Sequence, residues 1–244
     1  LRKVKVIVSK YFDLKTQNIL SNKINTIPKN NVMKKIFMML IVILASIGHA
    51  YGYDFVYNNL KYTILSAEDK TVSVAGYSST TTGNLVIPQR VSNNAIIYTV
   101  TEIGSYAFDG CTGLTSVTIP SSVTSIGWYA FDGCIGLKKV NISSIAAWCG
   151  ICFSSENANP LFYARHLYMN DEELTDLVIP SEITKVNDYA FDGCTGLKAI
   201  TIPSSVTSIG DGAFEDCCRL TSITIPSSVT SIGRLAFSGC SDCA

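Results

Sequence analysis

From residue 83 onward, apolar and polar positions recur in a fixed phrase. Ile-Pro pairs stand at Ile87-Pro88, Ile119-Pro120, Ile179-Pro180, Ile202-Pro203 and Ile225-Pro226. An Ala-Phe pair follows, with Phe at 108, 131, 191, 214 and 237, and a Cys three residues later at 111, 134, 194, 217 and 240. The Phe-to-Phe steps are 23, 60, 23 and 23 residues. Within a unit Leu114, Val117 and Ile119 point inward and Ser116 and Thr118 outward, the alternation of a half-buried strand. Proline ends that strand because it cannot donate to a ladder. Val-Thr-Ser-Ile-Gly (Val123 to Gly127, Val206 to Gly210, Val229 to Gly233) predicts a second short strand, with Gly permitting the corner. Ala-Phe-Asp-Gly-Cys is too short for an ordinary α-helix and predicts a turn or 3₁₀ piece, its Phe wedged into the end of each coil.

The irregular steps refine this picture. Nine extra residues fall within 91–100. One period after Ile119 lands on Ile142, in a strand that has lost its proline, and fourteen extra residues make 143–173 an elaborated repeat. One unit cannot bury its own apolar face, but stacked units can, with strands ~4.8 Å apart. The expected fold is therefore a β-rich repeat solenoid with short parallel strands stacked in two sheets, joined by turns or 3₁₀ pieces. Ladders of Ile, Val, Phe and Cys run along it.

The phrase LTSVTIPSSVTSIGWYAFDGC resembles the BspA-like leucine-rich repeat, a bacterial surface-protein variant of the leucine-rich repeat superfamily. The resemblance covers about residues 53 to 243. The insert AAWCGICFSSENANPLFYARHLYMNDEELTDLVIP resembles a recurring variant repeat of that family, and YDFVYNNLKYTILSAEDKTVSVAGY its strand-rich lead-in. The chain lacks the Asn ladder of ordinary leucine-rich repeats. The resemblance implies a right-handed superhelix and a secreted or cell-surface protein that binds macromolecules.

The start of the chain follows another pattern. Residues 1–32 are rich in Lys, Asn and Ile with no sustained period, and are expected to be translated upstream sequence. Met33, Lys34-Lys35, the apolar run Ile36 to Ile47 and the small residues Gly48, Ala50 and Gly52 give the three regions of a bacterial-type signal peptide, assigned to 33–52. A genuine extension with a buried or membrane-anchoring helix at 36–47 is the alternative. The expected division is then a lead-in or cap over 53–82 and a solenoid over 83–244, with no membrane span after signal cleavage. The chain stops half a turn into a unit, at Cys240-Ser-Asp-Cys-Ala, which reads as a truncated frame.

Composition excludes some functions. The 244 residues carry a formal net charge of +0, with 47% hydrophobic and 16% charged. That balance removes the electrostatic case for nucleic acid or an anionic membrane surface. Trp148-Cys149-Gly150-Ile151-Cys152 looks like the W-C-G-x-C of thioredoxin-type oxidoreductases. That chemistry needs a low-pKa Cys at a helix start after a strand in a βαβ domain, whereas this motif lies inside a repeat. Nine cysteines in an exported chain suggest disulfides, but five sit in register and read as a ladder of buried free thiols. Cys149, Cys152, Cys218 and Cys243 remain as candidates for bridges. Cys149/Cys152 and Cys240/Cys243 have zinc-like spacing but lie far apart. His49 falls in the signal segment and His166 stands alone beside Arg165. Asn170 with Asp171-Glu172-Glu173 reads as a hairpin turn. No enzyme activity and no cofactor or metal are expected.

The expected function is an adhesin-like one, with an extracellular protein or glycan as partner; oligomeric state is open. Outward positions of the main strands form one candidate face: Ser116, Thr118, Lys139, Asn141, Asp176, Thr201, Ser222 and Thr224. The insert supplies Trp148, Phe153, Phe162, Tyr163, Arg165 and Tyr168, since elaborations on a regular scaffold often carry specificity. A cell-envelope spacer without ligand and a thiol oxidoreductase using Cys149/Cys152 are the alternatives.

Overall fold

The repeat phrase forms strands where its alternation places them. In the computed structural model, residues 52–77 and 82–240 are described; residues 1–32, most of the signal segment, His49 and Cys243 lie outside them. One stack of strands comes from the L-x-x-V-x-I segments: β4 (Thr82–Val86), β7 (Gly113–Ile119), β9 (Lys139–Ile142) and β11 (Leu167–Met169), then β13 (Asp176–Val178), β15 (Ala199–Thr201) and β17 (Ser222–Thr224). The second stack comes largely from the Val-Thr-Ser-Ile segments. It runs β3 (Thr71–Tyr77), β6 (Ile96–Ile103), β8 (Ser125–Ile126) and β10 (Cys152–Phe153), then β14 (Lys185–Val186), β16 (Ser208–Ile209) and β18 (Ser231–Ile232). Pairing within each stack is parallel, for example Val117↔Val140 and Ile200↔Ile223. The lead-in strands β1 (Phe55–Tyr57) and β2 (Leu60–Ser66) pair antiparallel and join the second stack through β3.

Each stack is interrupted once, at the insert, so the two expected sheets become four. In the first stack the cause is a hairpin. After β11 the chain turns through Asn170-Asp171 (φ 53° and 65°) into β12 (Glu172–Glu173), which pairs antiparallel with β11 and takes its free edge. Two consecutive residues at φ > 0 suit a two-residue hairpin loop, and Asn and Asp tolerate that region. The nine extra residues near 91–100 form a second hairpin, which leaves the stack continuous. β5 (Arg90–Asn93) folds back on β6 through Asn94-Ala95 (φ 48° and 65°).

The insert is itself a coil. Leu167 pairs with Val140 and Phe153 with Ile126, so β11 and β10 occupy repeat positions. A short helix, α1 (Ile145–Cys149), precedes β10, and a 3₁₀ turn (Glu156–Ala158) and a second short helix, α2 (Leu161–Ala164), lie between β10 and β11.

The core is a set of vertical ladders. Leu114, Val117, Ile119, Leu197 and Ile200 are buried. Ile225 and Ile232, in the coil at the C-terminal edge of the described stack, are exposed. The Phe column stacks ring on ring, Phe108–Phe131 at 5.1 Å, Phe191–Phe214 at 5.3 Å and Phe214–Phe237 at 5.5 Å. Such pairs contribute about 0.5–1.5 kcal/mol beyond burial. At the same corner the Phe N–H of one coil donates to the Ala carbonyl of the next, as in Phe108→Ala130, Phe191→Ala213 and Phe214→Ala236. Coils approach so closely there that a Cβ on Gly127 would lie 2.5 Å from the Ser105 nitrogen.

Candidate interaction surface

The outward rows of the first stack are set by strand register. Asn84, Ser116 and Lys139 lie in one row, and Val86, Thr118, Asn141 and Tyr168 in the next. The first row is internally bonded: Asn84 Oδ1 accepts from Ser116 Oγ (2.9 Å) and from Thr115 Oγ1 (3.2 Å). Beyond the interruption the matching positions are Asp176, Ala199 and Ser222, and Val178, Thr201 and Thr224. Asp176, Thr201 and Thr224 are exposed, and so are the apolar Val86 (65%) and Val178 (59%).

The hairpin gives this face its distinctive chemistry. Lys139 Nζ lies 4.4 Å from the Tyr168 ring centroid and 2.9 Å from Asp171 Oδ1. The β11–β12 register sets Tyr168 opposite Glu173, and His166 Nδ1 lies 2.7 Å from Glu173 Oε1. Asn141, beside Tyr168 on β9, keeps a buried Oδ1 without a hydrogen-bond partner.

The remaining insert residues do not share this face. Trp148 (1% exposed) and Phe153 (7%) are core and drop out as surface candidates. Trp148 Nε1 donates to the Ala190 carbonyl at 2.7 Å, and Phe153 packs edge-on against its ring at 5.4 Å. In regular coils the Ala carbonyl is paired by the Phe N–H of the preceding coil; the insert has no such Phe, and the indole supplies the donor. Asn159, missed in the sequence, completes the seam. Fully buried, it donates through Nδ2 to the Tyr189 carbonyl (2.6 Å) and accepts the Leu161 N–H through Oδ1 (2.9 Å). Tyr163 donates to Asp132 Oδ1 (2.8 Å) and accepts from Gly133 N (3.0 Å). The Arg165 guanidinium lies over the Phe162 ring at 5.6 Å and reaches Asp216 at 4.0 Å.

The W-C-G-x-C motif sits in the same seam. Cys149 is buried and desolvation pushes its thiol up to about 12, opposite to a thiolate nucleophile. Its carbonyl accepts Asn187 N, and Asn187 Nδ2 donates to Gly150 O (2.9 Å). Cys152 is exposed. In the Cys column Cys134, Cys217 and Cys240 each donate Sγ–H to the Phe carbonyl of the preceding coil at 3.2 Å. Burial raises the Cys134 and Cys194 thiols to about 12. All described cysteines are free thiols.

Exposed aromatics elsewhere also escaped the sequence reading. Tyr106 and Tyr129 stack at 5.4 Å, with Trp128 tilted against Tyr129 at 6.4 Å. The signal was positional. Trp128 stands where other units carry Ser105, Asp188, Asp211 and Arg234, and Asp188 and Asp211 there accept the N–H of the next coil at 3.1 Å and 2.6 Å. An open pocket of about 10 Å³ beside α1, lined by Ile119, Ile142, Ala147, Trp148 and Ile151 among others, falls far below the ~300–1,000 Å³ of small-molecule sites. Among the described residues no helix is long and apolar enough to cross a membrane.

The comparisons agree with this architecture. The model of the BspA type leucine rich repeat region matches in six copies over residues 90–164 and 163–244. A leucine rich cell surface protein from Faecalibacterium prausnitzii A2-165 is 31% identical with TM-score 0.50, covering 76% of this chain and 52% of its own. A leucine-rich repeat protein from Bacteroides ovatus is 26% identical with TM-score 0.50, covering 77% of this chain and 51% of its own. The chain thus spans about half the length of these structures. No curated protein matches the chain. With the repeat model matching well over half of its length, the chain belongs to the BspA-type leucine-rich repeat family.

Proposed function

We propose that the protein is a non-enzymatic interaction protein, exported by the signal segment at 33–52 and displayed or released outside the cell, which binds an extracellular protein or glycan. The coarse part of this reading, interaction without catalysis, is supported by membership of a leucine-rich repeat family with a cell-surface relative. The finer part rests on one observation: Lys139 and Tyr168 meet on one outward face beside the β11–β12 hairpin, with Asn141 paired beside Tyr168 in the same row. An aromatic ring beside a cation suits a polar, partly apolar epitope. Thr118 and Val86 extend the face along the stack.

The test is a binding screen of the full chain against extracellular matrix proteins and glycans. A Tyr168→Ser/Lys139→Gln double variant then follows on any saturable hit. The expected result is at least tenfold weaker binding with an unchanged urea midpoint. No saturable binding by the folded chain favours the cell-envelope spacer, and unchanged affinity in the double variant places the site elsewhere.

A further inference from the structure

A second surface lies at the corner that follows the second stack, where three aromatic rings from two adjacent coils meet. Tyr106 and Tyr129 stack at 5.4 Å, and Trp128 tilts against Tyr129 at 6.4 Å and 41°. The cluster does not bury itself. Tyr106 is 59% exposed, Trp128 55% and Tyr129 38%. The chain's other tryptophan, Trp148, is by contrast core.

Packing does not account for these rings. Trp128 occupies the place at which Asp188 and Asp211 accept the N–H of the next coil. An indole has no acceptor for that bond, so this coil forgoes an inter-coil contact to carry it. Tyr106 and Tyr129 stand at φ 59° and 55°, a region that strains an L side chain and that Gly212 occupies freely at the same place in its own coil. Little of either cost is returned as burial. The polar edges are also free: the Tyr106 and Tyr129 phenols and the Trp128 indole N–H make no hydrogen bond among the described residues. The fold thus spends backbone strain and a lost coil-to-coil bond on exposed rings with unused polar groups.

We propose that Tyr106, Trp128 and Tyr129 form a binding platform for a neutral glycan chain. A pyranose ring presents C–H faces that pack on aromatic rings and hydroxyls that pair at the ring edges, and the platform offers both. An aliphatic anchor of a protein partner would use the faces and leave the phenol and indole groups idle. Charge complementarity selects the class of glycan. No Lys, Arg or His lies between Arg90 and Lys138, so neither coil supplies a cation to a carboxylated or sulfated sugar. Of the three carboxylates in that stretch, Glu102 accepts from Ser73 Oγ (3.1 Å) and Asp132 from the Tyr163 hydroxyl (2.8 Å), which turns the choice away from a cationic peptide. This site is separate from the strand face around Tyr168 and does not rest on it.

The experiment titrates the full chain with cellohexaose, maltohexaose, mannohexaose and chitohexaose, with hexagalacturonate as the anionic probe and octa-arginine as the cationic one. Calorimetry reads affinity, and tryptophan fluorescence with acrylamide quenching reads Trp128, since Trp148 is shielded in the core. Saturable binding of at least one neutral hexasaccharide is expected, unchanged between 50 and 300 mM NaCl, with Trp128 protected from acrylamide. Trp128→Asp installs the residue that two other coils carry at this place, so the fold is kept, and it should weaken that binding at least tenfold with an unchanged urea midpoint. Tyr168→Ser/Lys139→Gln should stay within twofold, which separates this platform from the strand face. No saturable binding of any neutral hexasaccharide, affinity that survives Trp128→Asp, or Trp128-dependent binding of octa-arginine or hexagalacturonate tighter than that of every neutral sugar would overturn the proposal.

Discussion

Asp192→Asn should stabilise the fold at neutral pH and flatten its pH dependence. The Asp192 carboxyl is 4% exposed, and burial, followed by Glu215, Glu156 and Asp216, lifts it from an ordinary 3.8 to about 7. The folded chain therefore holds this proton through a window in which the unfolded chain has released it. Stability from this group is fully present below about pH 4, falls as pH rises through the window, and is gone above about pH 7. The gap of about three pH decades corresponds to about 4 kcal/mol. Asn keeps the shape without the charge, so the variant should match the native chain near pH 4 and exceed it by up to about 4 kcal/mol at pH 8. Urea unfolding followed by far-UV circular dichroism from pH 4 to 8 reads the difference directly. Parallel stability curves across that range would refute the reasoning.

Asn159→Ala should lower stability by about 3 kcal/mol in the same urea assay, since it strips a donor from the Tyr189 carbonyl and leaves the buried Leu161 N–H unpaired. Phe214→Ala should cost about 3–5 kcal/mol, because its ring is stacked on both sides; a loss below 1 kcal/mol would mean the Phe column does not hold the coils together. With maleimide at pH 8 and intact mass spectrometry, Cys152 should be labelled rapidly, while Cys134, Cys149, Cys194 and Cys217 react only after unfolding. The same burial predicts no insulin reduction; activity abolished by Cys149→Ser would restore the oxidoreductase reading.

The parts of this molecule legible in the sequence are those repeated in it. Ile-Pro and Ala-Phe spacing located the strands, and Asn170-Asp171 announced its hairpin, because a two-residue turn imposes local chemistry. What the hairpin does to the stack was not legible, since taking the free edge of β11 is a tertiary event. The helix α1 was also missed, because five residues are too few for a helical period to show. Trp148 illustrates a further limit. An exposed anchor and a buried donor look alike until the Ala190 carbonyl is seen to lack its usual partner. Asp192 is a similar case: Asp109, Asp132 and Asp192 all follow the Phe of their units, yet only Asp192 is buried. Strand alternation set Ser116, Thr118, Lys139 and Asn141 in rows, and the register aligns them across β7 and β9. The meeting of Lys139 with Tyr168 needed the insert to be in register, which spacing alone did not establish.

The most direct test of the central claim is a hydrogen-exchange footprint of the full chain with and without a saturating partner from the binding screen. The account predicts slowed exchange in β7, β9, β11 and the 167–173 hairpin, with the Cys149–Cys152 segment unchanged. Protection confined to the Cys149–Cys152 segment, or absent from the strand face altogether, would contradict it.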